Sequence, residues 1–190
     1  FAELTGALFF TLSYSFWPEP LHGMPAIALF TVWLAALVLL LILFYYDLQW
    51  FLLPNKVMYP LWGVSAVYAA LQFTKVPTLH TIVMTALAVG VASGFFWLLY
   101  ELSKGKWIGF GDVRLGLAIG LFVGTPFKAA LVLFSASVAG LVAALPSLVS
   151  GKKGLSSKVP FGPLLIIGLL IAMLWGQRLI DWYSTTFLYL

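Results

Sequence analysis

Seven apolar runs divide the chain, at 1–17, 24–46, 57–73, 81–100, 115–124, 127–149 and 163–180, with short polar loops between them. A helix rising about 1.5 Å per residue needs roughly 20 apolar residues to cross about 30 Å of hydrocarbon, and six of the runs approach or reach that length. The fifth, 115–124, is too short. It predicts either a half-span or a helix extended backwards through the residues around Gly111. Alternating strand patterns are absent, which argues against an outer-membrane barrel. The pattern predicts an all-α, polytopic transmembrane helix bundle: about six full spans plus a short half-span, in one domain over residues 1–190.

Composition sharpens this. The chain is 63% hydrophobic and 8% charged, with mean hydropathy +1.06. An ordinary soluble domain is about 45–50% apolar and about 25% charged. The lipid bilayer is thus the first partner the sequence implies. Net charge +4 does not point to nucleic acid here, because basic loops that orient the spans explain it. With no cysteine, disulfides, thiol nucleophiles and cysteine metal sites are excluded. Nothing in the sequence specifies an oligomeric state.

The basic residues are distributed unevenly. Alternate loops hold Lys56, then Lys104, Lys106 and Arg114, then Lys152, Lys153 and Lys158; the opposite side holds Lys75, Lys128 and Arg178. Seven cations against three place the first group in the cytoplasm. Trp50, Trp62, Trp97, Trp107 and Trp182 read as interfacial belts. Gly90, Gly94, Gly116, Gly120 and Gly124 read as positions of close helix packing.

Two of the six acidic residues, Asp47 and Asp112, stand where apolar runs break on the side assigned to the cytoplasm. Ionisable groups near membrane depth cost several kcal/mol, so the default reading is functional. Asp47 follows an apolar run and precedes Pro54-Asn55, where proline ends the helix. Its bland reading is a residue marking the exit of a span. Asp112 follows Gly109-Phe110-Gly111, whose glycines permit close approach of another chain. Its bland reading is a cap on a helix starting near Val113. Two carboxylates sharing a proton can activate water, one as base while the other polarises a carbonyl. A metal alternative lacks ligands, since the histidines His22 and His80 both fall on the outer side, so no metal is expected.

With these residues in place, the chain resembles the type IV prepilin peptidases, which are membrane aspartic proteases of the Gly-x-Gly-Asp type. Tyr46-Asp47 with six residues before Pro54-Asn55 is similar to the family's first aspartate motif. Gly109-Phe110-Gly111-Asp112-Val113-Arg114 is similar to its second, carried by the predicted half-span. Val159-Pro160-Phe161-Gly162-Pro163 resembles a late family segment, and Glu3-Leu4-Thr5-Gly6 the stretch after its cytoplasmic cysteine-bearing domain.

The resemblance implies cleavage of the leader of type IV prepilins or pseudopilins at the cytoplasmic face of a bacterial inner membrane. Asp47 and Asp112 would be catalytic, with Pro54, Gly109, Gly111, Arg114, Pro160, Gly162 and Pro163 supporting the motifs. Glu3 and Glu101 are candidate contacts for a basic leader. Many relatives carry an acid where this chain has Gln49. Proteolysis would need no cofactor. S-adenosylmethionine would enter only if this chain retained the N-methylation of bacterial members, which is associated with a first span and cysteine-bearing domain expected to lie outside it. Two other readings stand beside this one: a protease of the presenilin or signal-peptide-peptidase type, and a proton- or cation-coupled transporter. Geometry separates them, because a protease needs its carboxyl groups about one water apart and a transporter favours a midplane site.

Overall fold

The computed structural model describes residues 2–149 and 160–188; Lys152, Lys153, Lys158 and Val159 lie outside them. The described residues are helical throughout apart from short connections: α1 (Ala2–Ser15), α2 (Met24–Trp50), α3 (Asn55–Lys75), α4 (Leu79–Val89), a π-helical turn (Gly90–Gly94), α5 (Phe95–Ser103), α6 (Phe110–Val123), α7 (Pro126–Val149) and α8 (Gly162–Tyr183), which ends in a second π turn (Ser184–Leu188). Helices and π turn from Leu79 to Ser103 run on as one rod.

Four helical segments among the described residues are long and apolar enough to cross a membrane: Met24–Trp50, Leu79–Ser103, Pro126–Leu145 and Gly162–Phe187. The chain is therefore a multi-pass, all-α membrane protein. The short fifth run is extended backwards through Gly111 and still stays shorter than a full span. α6 begins at Phe110 and has 14 residues, about 21 Å of helix at 1.5 Å per residue. It stops at Gly124, whose φ of 65° is a left-handed turn suited to glycine.

Short α6 is the centre of the bundle. It packs against α3, α4, the π turn, α5, α7 and α8, and buries Val113, Leu115, Ala118, Ile119, Phe122 and Val123. α7 lies along α8, and α2 along α3 and α8. α1 is attached to α2 by polar bonds: Trp33 Nε1 donates to Ser13 Oγ at 3.1 Å, and the Tyr45 hydroxyl to Thr5 Oγ1 at 2.6 Å. Such bonds hold helices together where lipid removes the hydrophobic drive between them.

The same lack of hydrophobic drive explains the glycines of α6. A Cβ on Gly116 would lie 2.7 Å from the Ala92 carbonyl oxygen, and one on Gly120 would lie 2.4 Å from the Val89 Cα. The backbones of α6 and the rod touch at these two points. Gly90 and Gly94 do not share that role, because added Cβ atoms there would meet nothing within 4 Å. They lie in the π turn, whose backbone at Ala92 and Ser93 receives Gly116 of α6.

This difference gives a direct test. Gly120→Ala should lower the melting temperature in detergent, since overpacking against rigid backbone costs about 1–3 kcal/mol. Gly90→Ala should be neutral or slightly stabilising, because helix propensity improves by about 1 kcal/mol with no clash. Equal effects from the two substitutions would contradict the packing described.

Candidate active site

Asp47 occupies the last turn of α2 and is 6% exposed. The helix closes just beyond it, where the Phe51 N–H donates to the Asp47 carbonyl oxygen at 3.0 Å and Phe51 turns left-handed at φ 52°. Gln49 is exposed on the same helix, so Asp47 is the inward acid of this motif. Its carboxylate reaches the start of another helix: Gly162 N–H donates to Asp47 Oδ2 at 2.9 Å, across 115 residues of sequence. The first N–H groups of a helix have no intrahelical acceptor, and the dipole there favours an anion. Asp47 thus caps α8 from outside it.

The flanking residues follow from this contact. A Cβ on Gly162 would lie 2.7 Å from Asp47 Oδ2, so any larger residue must displace the carboxylate. Pro163 stands in the first turn of α8, where a missing N–H is harmless. Pro160 is half-buried two residues before Gly162.

Asp112 is 9% exposed in the first turn of α6. It is not the cap of that helix. The preceding Gly109 holds the cap position, and the Asp112 N–H donates to the Gly109 carbonyl oxygen at 3.1 Å. Asp112 Oδ2 lies 3.9 Å from the Cβ position of Gly109. Gly111 faces Leu53, whose Cβ and Cδ1 would each lie 3.1 Å from an added Cβ.

Leu53 links the two halves of the site. Its Cδ2 would lie 3.3 Å from a Cβ on Gly162, so one buried leucine is seated against glycines of both α6 and α8. Sequence reasoning passed over it. The available signal was an apolar residue directly before proline, in the extended geometry proline imposes and free to turn inward. Around this wedge the end of α2 and the starts of α3, α6 and α8 converge at one end of the bundle. α2 and α6 keep their backbones apart and meet through side chains such as Trp33 and Phe122. Both carboxylates lie at this end, with Asp47 Oδ2 against the Gly162 N–H and Asp112 Oδ2 3.9 Å from the Cβ position of Gly109.

A second contact joins the two aspartate motifs. The Arg114 guanidinium donates to Asn55 Oδ1 and lies 4.9 Å from the centre of the Phe110 ring. Trp62 Nε1 donates to the Arg114 carbonyl oxygen at 2.9 Å, so Trp62 braces α6 in addition to any interfacial part. Ser93 Oγ donates to the Val113 carbonyl oxygen at 2.9 Å. Pro54 caps α3, its carbonyl accepting from the N–H groups of Val57 and Met58. Trp50, Trp97, Trp107 and Trp182 are all exposed, as a belt requires. Glu3 and Glu101 are exposed, and among the described residues no contact ties either to the aspartates. No group of three His, Asp or Glu side chains able to hold a metal occurs among the described residues.

Residues 34–145, which contain both aspartates, match the type IV leader peptidase family. The chain belongs to that family. It is 31% identical over 159 residues to a prepilin leader peptidase/N-methyltransferase of Aeromonas salmonicida, covering 82% of this chain and 54% of that protein. A protein of the same name from Legionella pneumophila is 32% identical over 157 residues, covering 82% of this chain and 52% of that one. One from Bacillus subtilis is 26% identical over 147 residues, covering 76% and 56%. The chain spans about half the length of the curated relatives it matches. No solved structure matches it.

The Asn55–Arg114 clasp can be measured. A double-mutant cycle with Asn55→Ala and Arg114→Ala, read by thermal unfolding in detergent, should give a coupling energy of about 1 kcal/mol. Strict additivity would mean that the clasp does not hold the motifs together.

Proposed function

We propose that this chain is a membrane aspartic endopeptidase that cleaves the leader of type IV prepilins or pseudopilins, with Asp47 and Asp112 as its catalytic pair. The observation that carries the reading is the convergence of two buried carboxylates, from helices with separated backbones, at the one end of the bundle where Leu53 is seated against glycines of α6 and α8. Family membership supports the reaction, and the names of the relatives support the substrate class.

In this mechanism the pair holds a single proton, because two like charges so placed resist joint ionisation. The ionised carboxyl takes a proton from water as the water oxygen attacks the scissile carbonyl. The protonated carboxyl donates to that carbonyl oxygen as charge develops on it. Collapse of the tetrahedral intermediate returns a proton to the leaving amine. Gly162 N–H fixes Asp47, and Leu53 with the Asn55–Arg114 clasp sets the spacing to Asp112. At Gly109 an added Cβ would lie no closer than 3.9 Å to Asp112 Oδ2 or the Gly111 nitrogen, so this glycine leaves room for an extended substrate backbone beside Asp112. A substrate helix must be unwound or frayed before its peptide bond can enter, since a closed helix satisfies its own backbone.

The membrane arrangement belongs to the same proposal. α1, α2, α3, the Leu79–Ser103 rod, α7 and α8 serve as six spans, and α6 as a half-span that brings Asp112 into the bundle. The excess of basic loops sets the carboxylate end toward the cytoplasm of a bacterial inner membrane. Proteolysis then proceeds without metal or S-adenosylmethionine. Exposed Glu101 and Glu3 are the acidic side chains available to a basic leader. The transporter reading is weaker, because the carboxylates lie at one end of the bundle and not at its midplane.

Asp47→Asn and Asp112→Asn should each abolish cleavage of a prepilin in detergent or vesicles while the protein still inserts and melts normally. Near wild-type processing by either variant would end the assignment. Gly162→Ala should reduce kcat roughly 100-fold by displacing Asp47, with a much smaller change in KM. Chelation with EDTA should leave the rate unchanged, and loss of activity restored by added metal would refute the mechanism.

A further inference from the structure

At the opposite end of the bundle from the aspartates lies a second polar site. A cavity of 360 Å³ opens between the C-terminal ends of α3, α6 and α8, the start of α7 and the loop after α1. Its opposite placement follows from the chain, because the carboxylate site uses the N-terminal ends of α3, α6 and α8.

The charges in this cavity are unevenly satisfied. Glu19 on its wall is ion-paired with Lys75, and Asp181 nearby accepts from the Gln177 side-chain amide at 2.9 Å. Lys128 and Arg178 also line the cavity, and among the described residues neither makes an ion pair. Lys128 feels Glu19 and Asp181 only at longer range, although its side chain is half-buried. A partly desolvated ammonium without a contacting anion is costly. The wall is also short of an acceptor: Trp17 Nε1 is buried with no hydrogen-bond partner among the described residues. Gln72, Tyr68 and Gln177 add further polar groups to the same wall.

We propose that this cavity binds a phosphoryl oxyanion, supplied by the headgroup of an anionic phospholipid. An oxyanion supplies the acceptors that Lys128 and Arg178 lack, and charge-assisted bonds to such groups are the strong ones. Apolar Phe122, Met173 and Leu174 on the same wall suit the glycerol and upper acyl chain. Exposed Trp182 and Tyr183, one turn beyond Arg178 on α8, are the aromatic types that mark a membrane interface. The site stands apart from the peptidase chemistry and does not rest on it.

The test uses the full chain in a maltoside detergent, titrated with dihexanoyl phosphatidylglycerol, dihexanoylglycerol or inorganic phosphate, and read by thermal melting. Phosphatidylglycerol should raise the melting temperature saturably, and dihexanoylglycerol, with the same chains but no phosphate, should not. Lys128→Gln and Arg178→Gln should each raise the half-saturating lipid concentration roughly tenfold. Lys104→Gln, which removes an equal charge at the other end, should leave it unchanged. A shift by inorganic phosphate equal to that by the lipid would keep the oxyanion site and make free phosphate its ligand. The proposal is overturned if dihexanoylglycerol stabilises as well as the lipid. It is equally overturned if the Lys128 and Arg178 variants titrate like wild type.

Discussion

The bond from Gly162 N–H to Asp47 ties together the parts of the chain on which the site depends. A buried carboxylate requires donors, and the first turn of a helix requires an acceptor. Each answers the other, so the end of α2 and the start of α8 are fixed in one place. The contact tolerates only glycine at 162, because the carboxylate oxygen occupies the space a Cβ would need. Leu53 then fits against Gly162 on one side and Gly111 on the other, which carries the same constraint to α6 and Asp112.

Packing elsewhere follows from the solvent. In lipid, apolar side chains gain little by meeting each other, so close backbone approach and polar bonds hold the helices together. Gly116 and Gly120 let central α6 touch the rod from Leu79 to Ser103, and Gly168 lets α8 approach the Val132 carbonyl of α7. Between α2 and α6, Trp33 and Phe122 fill the gap with aromatic side chains. The two ends of α8 thus carry different chemistry: an anion of the protein itself at its start, and near its end cations with no ion pair among the described residues.

Much of this was legible in the sequence. Apolar runs marked every long helix to within a few residues, because the need to satisfy backbone groups in lipid leaves few alternatives. The motifs around Asp47 and Asp112 pointed to the two carboxylates and to the family. Other readings needed the fold to correct them. Gly90 and Gly94 face open space, whereas Gly116 and Gly120 meet backbone. Asp112 is inside its helix and does not cap it. Trp62, read as an interfacial residue, donates to the Arg114 carbonyl. Glycine and tryptophan have the same composition signal whichever way they face, so only neighbours decide their use.

Sequence by itself determined the class of protein, the positions of its helices and the two aspartates that stand at the breaks of apolar runs, because hydropathy and the cost of burying charge are local properties. Tertiary structure decided how those acids are held. That Asp47 caps α8, that Leu53 separates two glycines, and that Arg114 reaches Asn55 are contacts between residues 59 to 115 positions apart or brought together by three helices. No period or spacing along a chain encodes such pairings. They arise when helix ends with unsatisfied N–H groups and buried side chains with unsatisfied oxygens are brought to the same end of one bundle.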